Sequence, residues 1–494
     1  MPRWIYSGDA VSIRTSTICL ITTGDMSVPA DHASTFGERG QYFFENSSTG
    51  RWHSKYGIAN TLLYLPPLIA EYAWTSRLPF FDDLDSESLV CRCVVLNVYN
   101  ILLSLLLALY LFRFARLYAT SARDAAMFVA VAFFGTFLWN YLRAQTVEIF
   151  QVLFFTAACF HLLQYRRQLK KGGRTSSHAF LAMLFLGLLA LGKLIYILLL
   201  PLAICYLFCA GRERNRDMSR HSDLAGRMWI TRKQFAAHAI LPAVVICGLI
   251  LFSNWWRFSD PLETGYGQWD REQVFLSWNV FPGMYGFLFD ARTSVLMYFP
   301  LLPISLIGLR AFAQQHRLEV LFVACVFLVF YVANSAFINW RGGWCYGPRY
   351  LLFVLPVMSL PCVEIMNRGH KSRSWRSAII LTLIAIAVWT FATQSWVHGF
   401  EFHAPFRAES ELQDSKSDRV DEYFRQPLWV INRDLLRTKT GREVFPPLEH
   451  LRGRLSEDAF QQKQDALNRL VVFNLFWLNL PDSGTSPPPD QARP

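Results

Sequence analysis

The chain has 494 residues, 53% of them hydrophobic and only 17% charged, with a formal net charge of +11. An apolar excess gathered into long uncharged runs excludes a string of ordinary soluble domains, and basic residues confined to short connectors argue against a nucleic-acid surface. Ten cysteines lie singly, mostly inside apolar runs, and read as small hydrophobes rather than as a disulfide framework or a zinc site.

The first 56 residues read as a non-membrane segment, with no basic start followed by an apolar core and hence no signal peptide. Ser7-Gly8-Asp9 opens a weakly amphipathic stretch. A carboxylate here suits deprotonation of an acceptor hydroxyl or the holding of a divalent cation, and an Asp after Gly equally suits a helix cap. Ser54-Lys55-Tyr56-Gly57 leads into the apolar run 58–74, which Pro66-Pro67 interrupts. A proline pair removes helix hydrogen bonds, so an interfacial helix is expected there rather than a crossing. The acidic stretch 81–87, with Asp82, Asp83 and Asp85, reads as a solvated loop.

Crossings are then expected near 91–112, 125–141, 147–165, 178–193, 194–210, 236–255, 291–310, 318–338, 348–366 and 377–396. The runs lack the alternation of a barrel, and only helices close their backbone hydrogen bonds within one span. The expected fold is therefore an all-α polytopic membrane protein of about ten transmembrane helices, with short interfacial helices in its external loops. Basic residues gather in five connectors, at Arg113 to Arg123, 166–174, 212–233, 310–317 and 368–376. With the amino terminus outside, ten crossings put all five in the cytoplasm, as the positive-inside rule requires. Three regions follow: an external 1–90, a membrane core 91–396 and an external tail 397–494 whose Pro-rich end is expected to be disordered. No internal repeat is visible.

Several ionisable residues then face outward. Arg143 and Glu148 lie at the turn between the second and third crossings, where they either pair with each other or face a water-filled cavity. Lys193 is the only charge between Ala179 and Ala210, at the tip of an apolar hairpin, placed either to hold a phosphate or to snorkel. The densest stretch is Asn339-Trp340-Arg341-Gly342-Gly343-Trp344-Cys345-Tyr346-Gly347-Pro348-Arg349-Tyr350. Pro348 suits the first position of a helix and Arg349 its first turn, so backbone N–H groups and a guanidinium would meet a phosphate together. Arg341 is placed to grip a second oxygen, and Gly342-Gly343 lets backbone approach a ligand closely. An aromatic interface belt explains Trp340 and Tyr350 but needs neither the glycine pair nor Gly-Pro. Lys55-Tyr56 and Gly265-Tyr266-Gly267 read as binding residues or as turns with an interface tyrosine.

Taken in order, Ser-Gly-Asp at 7–9, Ser-Lys-Tyr-Gly at 54–57 with its Pro-Pro run, Gly265-Tyr266-Gly267 and Trp-Arg-Gly-Gly-Trp-Cys-Tyr-Gly-Pro-Arg-Tyr at 340–350 resemble one family. It is the bacterial membrane glycosyltransferases of the GT-C type, in the dolichyl-phosphate-mannose mannosyltransferase and Rgt-like group, matched over about residues 6–400. The resemblance implies a GT-C-like fold and an enzyme of the bacterial inner membrane. Such an enzyme takes a sugar from a polyprenyl-phosphate donor and transfers it, on the non-cytoplasmic face, to a glycan, lipid or protein acceptor. It makes Asp9 the base or metal ligand and Glu148 the second acidic residue. Arg143, Lys193, Arg341, Arg349, Lys55, Tyr56 and Tyr266 are then the candidates for substrate binding, and a divalent cation is the one cofactor the carboxylates admit. The family carries a transmembrane helix ahead of its first external loop, whereas eight residues precede Asp9 here. The expectation is a leading helix upstream of Met1 or its loss, which would leave a non-catalytic remnant. A transporter or flippase of lipid-linked sugars is the other alternative.

Overall fold

The computed structural model describes residues 8–35, 42–80, 86–143, 147–171, 175–219, 235–265, 276–290, 293–337, 340–341, 347–369 and 372–394, with isolated residues between 430 and 461. Two compact units divide the chain, one of Tyr6–Thr390 and one of Met1–Ile5 with Phe391–Pro494. The first unit is mostly helical and holds every element considered below except the last four residues of the final helix, Arg373–Gln394.

Helix α1 (Gly8–Thr23) is buried along most of its length although many of its side chains are polar. Those groups are satisfied locally: the Thr15 hydroxyl donates to Val11 O at 3.0 Å and that of Thr17 to Ile13 O at 2.7 Å. Arg14, also buried, pairs with Glu71 at 2.8 Å. A small antiparallel hairpin follows, β1 (Phe43–Asn46) and β2 (Arg51–Ser54), in register from Phe43 opposite Ser54 to Asn46 opposite Arg51. It leads straight into Lys55 and Tyr56.

Helix α2 (Ile58–Thr75) runs unbroken through Pro66 and Pro67, where the sequence suggests an interruption. Pro67 cannot donate to the carbonyl of Leu63, four residues back, and the Tyr99 hydroxyl donates to that oxygen instead, at 2.6 Å. A donor from α3 (Ser86–Arg116) thus replaces the one the proline removed.

The remaining elements are α4 (Ala122–Phe134), α5 (Glu148–Lys170), α6 (Ser176–Gly192), α7 (Leu199–Ser219), α8 (Leu241–Phe258), α9 (Phe281–Phe289), α10 (Leu301–Gln315), α11 (Arg317–Ser335), α12 (Cys362–Gly369) and α13 (Arg373–Gln394). Among the described residues, five helices are long and apolar enough to cross a membrane: Val94–Arg116, Glu148–Lys170, Leu194–Glu213, Ala236–Phe258 and Arg317–Ser335. Ser176–Gly192, Leu355–Asn367 and Ser377–Ile386 are apolar but shorter. Five spans rather than about ten thus meet the length and hydropathy a crossing needs among the described residues: helix at 178–193 and 377–396 is continuous but short in its apolar part, and at 125–141, 291–310 and 348–366 it is broken. The run 125–141 breaks after Phe134, where the Thr136 hydroxyl donates back to Ala132 O at 2.7 Å and accepts from Leu138 N at 3.2 Å. The run 348–366 falls into three pieces, Arg349–Leu351, Leu355–Met358 and Cys362–Gly369, with Pro356 in the first turn of the second and Pro361 immediately before the third, positions that suit a proline at a helix start.

Helix α5 lies at the centre, buried on nearly every side by α3, α6 and α7. It also shows that the bundle has two chemically different ends. At its carboxyl end, Arg166 pairs with Glu213 of α7 at 2.7 Å and with Glu319 of α11, and Arg167 donates to Leu117 O at 3.0 Å just past α3. Asn367 of α12 donates to Tyr118 O at 3.0 Å there. The ends of the helices that carry the basic connectors thus converge at this end. Glu148 is eighteen residues from Arg166, about 27 Å along the axis at ~1.5 Å per residue, close to a hydrocarbon thickness.

Candidate functional site

The opposite end of α5 begins with Glu148, a buried carboxylate in the first helical turn, where the positive end of the helix dipole favours it. Three other parts of the chain come together at this end, one of them in contact with Glu148 itself.

The first is Lys193, immediately after α6. The carbonyl of Gly192 at the end of α6 accepts from Gly57 N at 3.1 Å and from Asn60 Nδ2 at 2.7 Å, so an orphan helix-end acceptor is capped by α2. Residue 57 must be glycine for this approach, since a Cβ there would lie 1.8 Å from Leu191 O. The cap plants Lys193 beside the Lys55-Tyr56 turn.

The second part is Arg349. Gly347, at φ +63°, packs so closely on Phe137 that a Cβ would lie 2.9 Å from its ring. That glycine turn delivers Pro348 and Arg349 to the site. The helix expected to start at Pro348 is instead a three-residue 3-10 turn, Arg349–Leu351, so the guanidinium rather than a helix end supplies the positive charge.

The third part is the first turn of α1, with Asp9. Its Oδ1 accepts a short hydrogen bond from the Tyr56 hydroxyl. Its Oδ2 lies 3.7 Å from Arg349 Nη1, and the same nitrogen lies 3.7 Å from Glu148 Oε1. One guanidinium therefore sits between two carboxylates in Coulombic contact with both, at more than hydrogen-bond length. Lys193 Nζ stands 4.8 Å above the Tyr350 ring, and Lys55 Nζ lies 5.0 Å from the centroid of Tyr42 and 5.5 Å from that of Tyr56.

Burial raises the Asp9 carboxyl, but Arg349, Lys55, the Tyr56 hydroxyl and Lys193 outweigh it and hold Asp9 below its ordinary value. Burial also lowers the Lys55 ammonium to about 8, against the attraction of Asp9 and with repulsion from Lys193 and Arg349. Among the described side chains, three cations thus face two carboxylates, and the site carries an excess positive charge when all five are ionised.

Six residues singled out in the sequence come together: Asp9, Lys55, Tyr56, Glu148, Lys193 and Arg349. Arg341 pairs with Asp290 at 3.3 Å and lies 4.5 Å from the centre of the Trp340 ring. Tyr266, Asp82, Asp83 and Asp85 lie outside the described residues, as does the side chain of Arg143. The sequence reading passed over Tyr196, whose hydroxyl donates to Gln151 at 2.6 Å beneath Glu148, and Arg257, considered further below. The second had a visible signal: it is the only Lys, Arg, Asp or Glu between Lys233 and Asp260, in the last turn of an apolar helix. Comparison of the chain with protein-family models, curated proteins and solved structures finds no match in any of the three.

Proposed function

We propose that the protein is an integral membrane glycosyltransferase of GT-C-like design that transfers a sugar from a polyprenyl-phosphate donor to a glycan, lipid or protein acceptor at the non-cytoplasmic face. The observation that carries this reading is the cluster of Arg349, Lys55 and Lys193 around the carboxylates of Asp9 and Glu148 at one end of the bundle. The opposite end gathers the basic connectors, which the positive-inside rule assigns to the cytoplasm. About ten crossings, some built from broken helices, suit the same reading.

In such a reaction the anomeric carbon–oxygen bond breaks and the lipid phosphate leaves with the bonding electrons. Cations preorganised in a dry site stabilise that charge. Asp9 takes the proton of the acceptor hydroxyl as the new glycosidic bond forms, and Tyr56 orients the carboxylate. A donor phosphate that engages Arg349 and Lys55 also offsets their pull on Asp9, so the base strengthens when donor is bound. The donor set does not fit a divalent cation, because Asp9 accepts from Tyr56 and both carboxylates face Arg349.

The test is an assay of the purified full chain in detergent or nanodiscs against a panel of polyprenyl-phosphate sugars. Asp9→Asn is expected to abolish transfer at unchanged expression; a fully active variant would sink the assignment.

A further inference from the structure

Arg257 is buried in the last turn of α8. Its Nη1 donates to two backbone oxygens, Ser54 O at 3.0 Å and Tyr56 O at 2.8 Å. These belong to the residues on either side of Lys55. The rest of the guanidinium is fixed from its own helix: Nη2 donates to Asn254 Oδ1 at 3.0 Å and Nε to Ser253 O at 3.2 Å. Asn46 of β1 donates to the Arg257 carbonyl at 2.9 Å, which ties the hairpin to the same helix end. Gly265, at φ +75°, closes the turn from another side, where a Cβ would lie 3.1 Å from Lys55 Cα.

A buried guanidinium is costly, and the contacts above direct it at carbonyls as well as at a side chain. Its rigid fork of donors holds several acceptors in fixed relative positions, which neither an ammonium nor a neutral amide of similar length can do. Successive residues of an extended turn point their side chains apart. Fixing the carbonyls at 54 and 56 therefore fixes where the side chains of 55 and 56 emerge.

We propose that Arg257 is a positioning residue for the anion site: by clamping the carbonyls of Ser54 and Tyr56 it aims the Lys55 ammonium and the Tyr56 hydroxyl at Asp9. Its importance for transfer rests on the glycosyltransferase reading, while the placement of Lys55 does not. Lys55 is faced by Asp9 of α1, by Lys193 after α6, by Arg349 and by the rings of Tyr42 and Tyr56. Released from the clamp, it would leave these groups for water.

The experiment titrates Lys55 by competitive acetylation of the purified full chain, read peptide by peptide by mass spectrometry. The wild-type midpoint is expected at about 8. In Arg257→Gln it should rise by at least one unit toward the ordinary lysine value of about 10.4, and added guanidinium should bring it back in Arg257→Ala. An unmoved midpoint in a folded Arg257→Gln chain overturns the proposal. Should that variant fail to fold, Asn254→Ala loosens the guanidinium without removing it, and the same measurement decides: a smaller rise supports the clamp and no rise overturns it. The readout needs no transfer. A shifted midpoint in a protein that transfers no sugar keeps the clamp and overturns the enzyme reading, and an active wild type with an unmoved midpoint does the reverse.

Discussion

Arg349 and Lys55 divide the work of holding an anion in different ways. A guanidinium stays charged at any accessible pH, whereas Lys55, with its ammonium lowered to about 8, does not. Binding of a phosphate-bearing ligand should therefore weaken above that pH by up to tenfold per unit, as one required proton is lost. Titration of donor binding between pH 7 and 10, followed by calorimetry, checks this, and Lys55→Arg should flatten the profile. Stability runs the other way. The unfolded chain holds the Lys55 proton up to 10.5 and the folded chain only to about 8, so between those values folding is favoured as pH rises.

The packing of α2 on the end of α6 places two of the site's cations together, and it depends on the absence of one side chain. Gly57→Ala should cost ~1–3 kcal/mol of stability and displace Lys193, because the added methyl meets backbone at Leu191 rather than a movable side chain. Gly211→Ala, which meets nothing within 4 Å, is the control in a denaturant titration. The same elements show what the sequence makes legible. Asp9, Lys193 and Arg349 stand out because an ionisable residue beside an apolar run demands a reason. Arg257 carries the same signal, but what it clamps stays hidden, since its partners are backbone oxygens about two hundred residues earlier in the chain. The continuity of α2 was hidden likewise: its proline pair announces a break, and the tyrosine that repairs it belongs to another helix. Hydropathy found five helices of spanning length but could not tell such a span from an apolar run that breaks near Thr136 or Pro361.

Across the whole molecule, the ion network at the far end of α5 locks α7 and α11 to it. Arg166→Ala should cost ~3–5 kcal/mol, because Glu319 would be left buried with its charge uncompensated. The same polarity predicts orientation. With the native cysteines replaced by serine, a membrane-impermeant thiol reagent should label Thr49→Cys in intact cells but Lys171→Cys only after permeabilisation. Labelling of both from outside would contradict the orientation proposed above. The central position of α5 has one more consequence. Because it is ringed by other helices, its neighbours stand where lipid would otherwise be, and it can carry Gln151, Thr156 and His161 along its length. On the outer face of α3, by contrast, Val98, Leu102 and Leu105 are exposed. Variation should therefore follow opposite rules in the two helices: free exchange among oily residues on α3, and on α5 tolerance of polarity combined with intolerance of any change in shape.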